Sequence, residues 1–245
     1  DMKDNKLDKK DKIEKISRGR FMISADMAAA SCLPQAAGAA AAAHDSGDAA
    51  VMCGLPDGSL AFILSDGMGQ GMKAAAESRT AIRRLRKALR EGMPATAAIR
   101  ELNRYMIRRS GSDENFATID LTIINKQTGR CHFYKMGAAT SFLVRDGHVK
   151  RIQRAALPIG IISQAGPAHI SLKLRPGDIL AMVSDGITEA DRSDMAACWL
   201  EQMLSSEETE QTGPRILAEK IAAKALARSS RTNADDCTVV IAKIL

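Results

Sequence analysis

Four turn signals punctuate this sequence: Leu55-Pro56-Asp57-Gly58-Ser59, Lys126-Gln127-Thr128-Gly129, Asp146-Gly147 and Arg175-Pro176-Gly177. Each stands between aliphatic runs too short for helices. Glycine tolerates positive φ and proline presets φ near −65°, so such clusters reverse the chain within a few residues. A tight reversal between two apolar runs joins antiparallel neighbours. Residues 48–53 and 60–65 are therefore expected to form a hairpin. The segments 116–124, 130–137, 141–145 and 149–153 read as an antiparallel meander, 170–174 and 178–184 as a further hairpin, and 237–243 as a last strand. Helical spacing appears over residues 72–93, where Ile82, Leu85, Leu89 and Met93 recur, and again after Pro94, with Ile99, Leu102 and Met106 on one stripe. Two more helices are expected near 194–204 and 214–228. Strands outnumber helices and are linked mostly by tight turns, so the expected class is α+β, with helices covering antiparallel sheets.

Composition narrows the function. The chain has 245 residues with 40 alanines but only five Phe, two Tyr and one Trp, so its core must be aliphatic and an aromatic-rich nucleic-acid reader is not expected. No run approaches the roughly 20 strongly apolar residues of a membrane span; residues 28–43, the nearest, are mostly alanine. Five scattered cysteines, odd in number and without a C-x-x-C pair, suit a reducing cytoplasm and no structural zinc site. Residues 1–15 hold six lysines and five acids and read as a charged tail or linker, leaving 16–245 as the folded domain. The chain begins at Asp rather than Met, which suggests a processed chain or a piece of a longer one, with room for a membrane anchor ahead of it. The net charge is +6, yet residues 73–109 alone carry 11 basic and 3 acidic side chains. That is the solvated face of two amphipathic helices or a docking surface for an acidic protein.

One arrangement occurs twice: an aliphatic strand followed by Ser-Asp-Gly, at Ser65-Asp66-Gly67 and Ser184-Asp185-Gly186. Both aspartates emerge at the end of a buried strand, where a carboxylate is costly unless a cation meets it. A helix cap is the alternative for either one alone. Asp48 and Asp66 are equidistant from Asp57 at the hairpin centre, which makes them near-opposite cross-strand partners, a destabilising pair without an ion between them. Asp235 and Asp236 open the last strand. Strand-end carboxylates from separate segments, with no His or Cys among them, favour Mn²⁺ or Mg²⁺ over zinc. Two such ions can activate water toward a phosphoryl group. Gly67, Gly69 and Gly71 remove side chains beside the proposed ions, so that backbone carbonyls can approach.

The ordered set Ser46-Gly47-Asp48, Ser65-Asp66-Gly67-Met68-Gly69-Gln70-Gly71, Leu157-Pro158-Ile159-Gly160-Ile161, Ser184-Asp185-Gly186-Ile187 and Asp235-Asp236-Cys237-Thr238-Val239-Val240 resembles the bacterial metal-dependent serine/threonine phosphatases of type 2C, the PPM family, and in particular their sporulation branch. The resemblance implies two antiparallel β-sheets sandwiched between helices, with a two-ion Mn²⁺ or Mg²⁺ site at one end. It makes Asp66 the ligand shared by both ions, gives Asp48 and the Gly67 carbonyl to the second, and gives Asp185 and Asp235 to the first, with Asp236 the alternative to Asp235. Asp48, Asp66, Asp185 and Asp235 are thus the expected catalytic set. A phosphate-binding arginine has no clear counterpart; Arg18 and Arg20 are candidates by location. The resemblance further implies direct hydrolysis of phosphoserine or phosphothreonine, a phosphorylated anti-anti-sigma factor as substrate, and helices 72–110 regulating the metal site. A homodimer is compatible with it. Competing expectations are a histidine-kinase-like ATP-binding module, since Asp66-Gly67-Met68-Gly69 resembles its D-x-G-x-G box, and a catalytically silent phosphatase-fold sensing domain.

Overall fold

The computed structural model describes residues 21–30, 46–67, 72–110, 116–190, 196–229 and 235–245. The tail 1–15, Arg18, Arg20, Gly69 and Gly71 lie outside these. Among the described residues ten strands form two antiparallel sheets. One has the order β1 (Ile23–Ala30), β10 (Cys237–Ile244), β9 (Ile179–Val183), β6 (Ser141–Arg145), β7 (His148–Ile152). The other has the order β2 (Asp48–Gly54), β3 (Leu60–Asp66), β4 (Ile119–Ile124), β5 (Arg130–Met136), β8 (Ala168–Lys173).

The sheets stack face to face and helices cover both outer faces, so the central strands are apolar on both sides. On β3, Leu60, Phe62 and Leu64 enter the layer between the sheets, where they meet Leu143, Leu180, Met182 and Val240. The alternate residues Ala61 and Ile63 pack under α1 (Met72–Arg90) and α2 (Ala95–Ser110). On β10, Val239 and Ile241 face Trp199, Leu217 and Ile221 of α4 (Ala196–Leu204) and α6 (Pro214–Arg228). Each fully buried Leu, Ile or Phe contributes about 1.5–3 kcal/mol, while the edge strands β7 and β8 keep exposed residues such as Lys150 and His169. The periodicity of α1 and α2 is met: Leu85, Leu89, Ile99, Leu102 and Met106 are buried, while the eleven basic residues of 73–109 all stand exposed.

Two sequence expectations fail at the same kind of place. Residues 170–174 and 178–184 do not form a hairpin: β8 pairs with β5, whereas β9 pairs with β10 and β6 in the opposite sheet. Arg175-Pro176-Gly177 carries the chain across the sandwich, because Leu172 and Leu174 on one side and Leu180 and Met182 on the other bury against each other across the layer. The crossing is braced by Arg145, whose guanidinium donates to both oxygens of Asp178, at 2.8 and 2.6 Å, and to the Lys173 carbonyl at 2.9 Å. The meander likewise breaks at Gly137, where the chain leaves β5 for β6 in the other sheet. Gly137 has φ 63, and a Cβ there would lie 2.5 Å from the Pro158 ring. A short helix, α3 (Asp185–Thr188), follows the second Ser-Asp-Gly, and another, α5 (Glu207–Gln211), was not foreseen; the Lys243 ammonium ties β10 to α5 by donating to the carbonyls of Thr209 and Glu210, each at 2.7 Å.

Candidate active site

Five carboxylates gather at one end of the sandwich, where β2 and β10 begin and β3 and β9 end. The hairpin register places Asp48 directly opposite Asp66. Asp66 is fixed by its backbone: its N–H donates to Thr118 Oγ1 at 2.9 Å, and its carbonyl accepts from Thr118 N at 2.8 Å. From the other sheet, Asp185 opens α3 straight after β9. Ser184 fastens that strand end to β10, since its N–H donates to the Thr238 carbonyl at 3.0 Å and its Oγ accepts from Thr238 N at 2.9 Å. The two members of the final acid pair differ. Asp236 Oδ2 accepts the Gly47 N–H at 2.6 Å, which ties the two sheets together beside Asp48. Asp235 is exposed, and its Oδ1 accepts its neighbour's N–H at 2.8 Å. A helix cap does not explain Asp66, which closes a strand; in α3 the capping position is Ser184, not Asp185.

The electrostatics are those of acids forced together. Burial holds Asp48 well above the ordinary carboxylate range, at about 7, with Asp185 and Asp236 adding to the rise and the hydroxyls of Ser184 and Thr238 opposing it. Asp66 is pushed up further, to about 9, by burial and then by Asp48, Asp185 and Asp235. Asp185 is raised by burial and by Asp235 and Glu189. Asp48 Oδ2 is shielded from solvent and has no hydrogen-bond partner among the described residues. No three acidic, His or Cys side chains among those residues close into a ready-made metal cage. The convergence is electrostatic and regional, with the carboxylates facing one another rather than wrapped around a point.

The two Ser-Asp-Gly glycines are spacers. A Cβ on Gly67 would lie 2.0 Å from the Ala74 carbonyl oxygen of α1, and one on Gly186 would lie 2.2 Å from the Asp236 carbonyl oxygen. Gly186→Ala must push α3 off β10, and the expected cost is about 1–3 kcal/mol; a denaturant melt showing an unchanged midpoint would contradict that contact. Sequence reasoning missed Thr118, Ser184 and Thr238 as positioning groups. It also missed Asp120 and Lys135, an acid and a base opposite each other on β4 and β5. Both stand at equal distance from the centre of the Lys126-Gln127-Thr128-Gly129 turn, so the same register arithmetic that paired Asp48 with Asp66 would have found them.

Comparison with known proteins bears on the family and the fold. The family model described as stage II sporulation protein E (SpoIIE) matches residues 56–245. Stage II sporulation protein E of Bacillus subtilis (strain 168) is 35% identical over 200 residues, covering 81% of this chain and 24% of that protein. The Priestia megaterium protein of the same name is 32% identical over 200 residues, covering 81% of this chain and 34% of its own length. The chain thus spans between about a quarter and a third of these relatives. Among solved structures, the PP2C phosphatase domain and a fragment of the regulatory domain of the cell fate determinant SpoIIE from B. subtilis superimposes with a TM-score of 0.79 at 32% identity, covering 91% of this chain and 63% of that one. The chain belongs to the stage II sporulation protein E family and carries its PP2C-type phosphatase fold.

Proposed function

We propose that this domain is a metal-dependent protein phosphatase that hydrolyses phosphoserine or phosphothreonine. The observation that carries the reading is the set of carboxylates at the sandwich end, three of them held above their ordinary range by burial and then by neighbouring acids. The residues fit divalent cations on their own chemistry: an oxygen-only donor set, a solvent-shielded Asp48 oxygen without a hydrogen-bond partner among the described residues, and mutual repulsion that a cation would relieve. Asp66 would serve two ions, Asp48 and the Gly67 carbonyl one of them, and Asp185 and Asp235 the other. Asp236 is assigned a structural task, because its Oδ2 already holds Gly47. Bound Mn²⁺ or Mg²⁺ would supply Lewis-acid stabilisation of phosphoryl charge and a more acidic attacking water. The protein's part is to hold the acids still: Thr118 orients Asp66, Ser184 and Thr238 lock the ends of β9 and β10, and Asp236 sets the spacing of the sheets. Family membership points to a phosphorylated anti-anti-sigma factor as substrate, in the control of sporulation, and to a cytoplasmic site of action. Among the described residues no helix is long and apolar enough to cross a membrane.

The adenine-box alternative is not supported by the fold. Asp66 lies in a hairpin of a two-sheet sandwich, facing acids, and the chain belongs to a phosphatase-fold family. The test is phosphate release from a phosphoserine protein with Mn²⁺, without it, and with a chelator, alongside an ATP-binding measurement. Mn²⁺-dependent release without ATP binding is expected. ATP binding without release would defeat the reading, and neither activity would make this a silent member of the fold.

Stability provides an independent check. A raised carboxylate pKa means that the folded state keeps a proton the unfolded chain has released. The associated stability is complete below the ordinary value of 3.8 and is lost as pH rises through about 7 for Asp48 and about 9 for Asp66. The chelated protein should therefore melt at a lower temperature at pH 8 than at pH 6 in this respect. Mn²⁺ at about 100 times its Kd adds ~2.7 kcal/mol, or roughly 5–10 °C in Tm for a domain of this size. That gain should be larger at pH 8, where less proton is displaced. Equal Mn²⁺ shifts at the two pH values in a calorimetric scan would count against cation binding at these acids.

A further inference from the structure

Behind the carboxylates lies a second charged group that the phosphatase reading does not use. Asp120 on β4, Lys135 on β5 and Ser141 at the start of β6 are all buried, with Lys135 fully inaccessible. Lys135 Nζ donates to Asp120 Oδ2 at 2.6 Å, to the Ala139 carbonyl at 2.7 Å and to Ser141 Oγ at 2.9 Å, which engages all three of its N–H groups. Ser141 Oγ in turn donates to the same Asp120 Oδ2 at 2.6 Å. One carboxylate oxygen takes both bonds. The other, Asp120 Oδ1, is shielded from solvent and has no partner among the described residues.

Asp120 lines a cavity of about 20 Å³, and Asp66, Asp185, Thr118 and Ser184 form other parts of its wall. On the order of 10–15 Å³ accommodates one water molecule, and such a water needs two or more polar partners. Both conditions are met here, with the Asp120, Asp66 and Asp185 carboxylates all in the lining and a water's two hydrogens to give. A buried carboxylate oxygen with nothing to accept is an exception that calls for a reason.

We propose that Asp120 is a positioning residue for the metal-binding acids: its Oδ1 holds one water that donates its second hydrogen to a carboxylate oxygen of the Asp66–Asp185 pair. Lys135 and Ser141 hold the Asp120 carboxylate in place through Oδ2, which leaves Oδ1 as the oxygen available to a water. Because Ser141 belongs to the opposite sheet from Asp120 and Lys135, the group also holds both sheets in place behind the site. Hydrogen bonds of this kind orient ligating carboxylates, and their loss typically weakens metal binding 10–100-fold. The inference rests on the reading of these acids as metal ligands.

The test uses two variants. Asp120→Asn keeps the size and an oxygen for Lys135 and Ser141 but turns the cavity-facing acceptor into a donor. Asp120→Leu with Lys135→Met removes both buried charges together, so that no lone charge is stranded. Mn²⁺ binding is measured on the whole chain by titration calorimetry, with a thermal melt to establish the folded fraction. Both variants should bind Mn²⁺ 10–100-fold more weakly than wild type while melting cooperatively. The Mn²⁺ concentration that half-activates phosphate release should rise by the same factor, with turnover recovering at saturating Mn²⁺. Mn²⁺ affinity within twofold of wild type in a folded variant overturns the proposal, and so does failure of both variants to fold, which would make the group purely structural. If wild type binds no Mn²⁺, or binds it equally after Asp66→Asn, the metal reading itself has failed, a result distinguishable from loss of affinity confined to the Asp120 variants.

Discussion

Asp66→Asn should lower kcat for phosphate release by at least about 10³-fold, and in the presence of a chelator the variant should melt at a higher temperature than wild type. The opposite signs have one cause. Asp66 is buried against Asp48, Asp185 and Asp235, all of which disfavour its charge, so a neutral amide relieves repulsion in the cation-free protein. The same change removes the ligand assigned to both ions. Stabilisation of phosphoryl charge by a cation is worth several kcal/mol, and each 1.36 kcal/mol is a factor of ten in rate. Asp185→Asn should behave similarly. Asp235→Asn should weaken Mn²⁺ binding, whereas Asp236→Asn should act chiefly on stability, since Asp236 Oδ2 is committed to the Gly47 N–H. Measured turnover and chelated melting curves for the four variants separate these roles. Full activity in Asp66→Asn would remove the basis of the proposed function.

Lys135→Met should be the most damaging single change to stability, by about 3–5 kcal/mol, because it leaves Asp120 charged and buried without its counter-ion. For a domain of this size that is roughly 6–20 °C in Tm. The Lys135 and Asp120 side chains are 0% and 2% exposed, so solvent cannot take over the ammonium's task. Adding Asp120→Leu to Lys135→Met should restore most of the loss, since apolar side chains of similar size often replace a buried pair at little cost. Surface pairs offer the contrast: Lys87 with Glu91, 3.8 Å apart and well exposed, should cost within about 0.5 kcal/mol when broken. Urea melts of these variants rank the contributions directly, and a Lys135→Met midpoint near that of wild type would show that the pair is not coupled as the geometry indicates.

Much of the candidate site's placement was legible in the sequence where the signal is local. The turn at Leu55-Pro56-Asp57-Gly58-Ser59 sets the hairpin register, and that register alone pairs Asp48 with Asp66. The same arithmetic around Lys126-Gln127-Thr128-Gly129 pairs Asp120 with Lys135, but nothing in a polar pair on apolar strands says whether it faces water or a core. Asp235 and Asp236 were distinguished only by the resemblance, not by the residues themselves. Both precede β10, and only the approach of Gly47 from the other sheet decides which acid is taken up in holding the structure.

From its own pattern the chain determined most of its strands, its four longer helices and the register across each tight hairpin, because residue periodicity and turn chemistry act over a few residues. Only the tertiary structure decided which turns stay within one sheet and which cross the sandwich, as at Gly137 and at Arg175-Pro176-Gly177. Hydrophobic burial is non-directional and proportional to area, so Leu172 and Leu174 are satisfied by Leu180 and Met182 from across the layer as well as by ladder neighbours. That choice of stacking over pairing brings Asp185 and Asp235 from one sheet against Asp48 and Asp66 of the other.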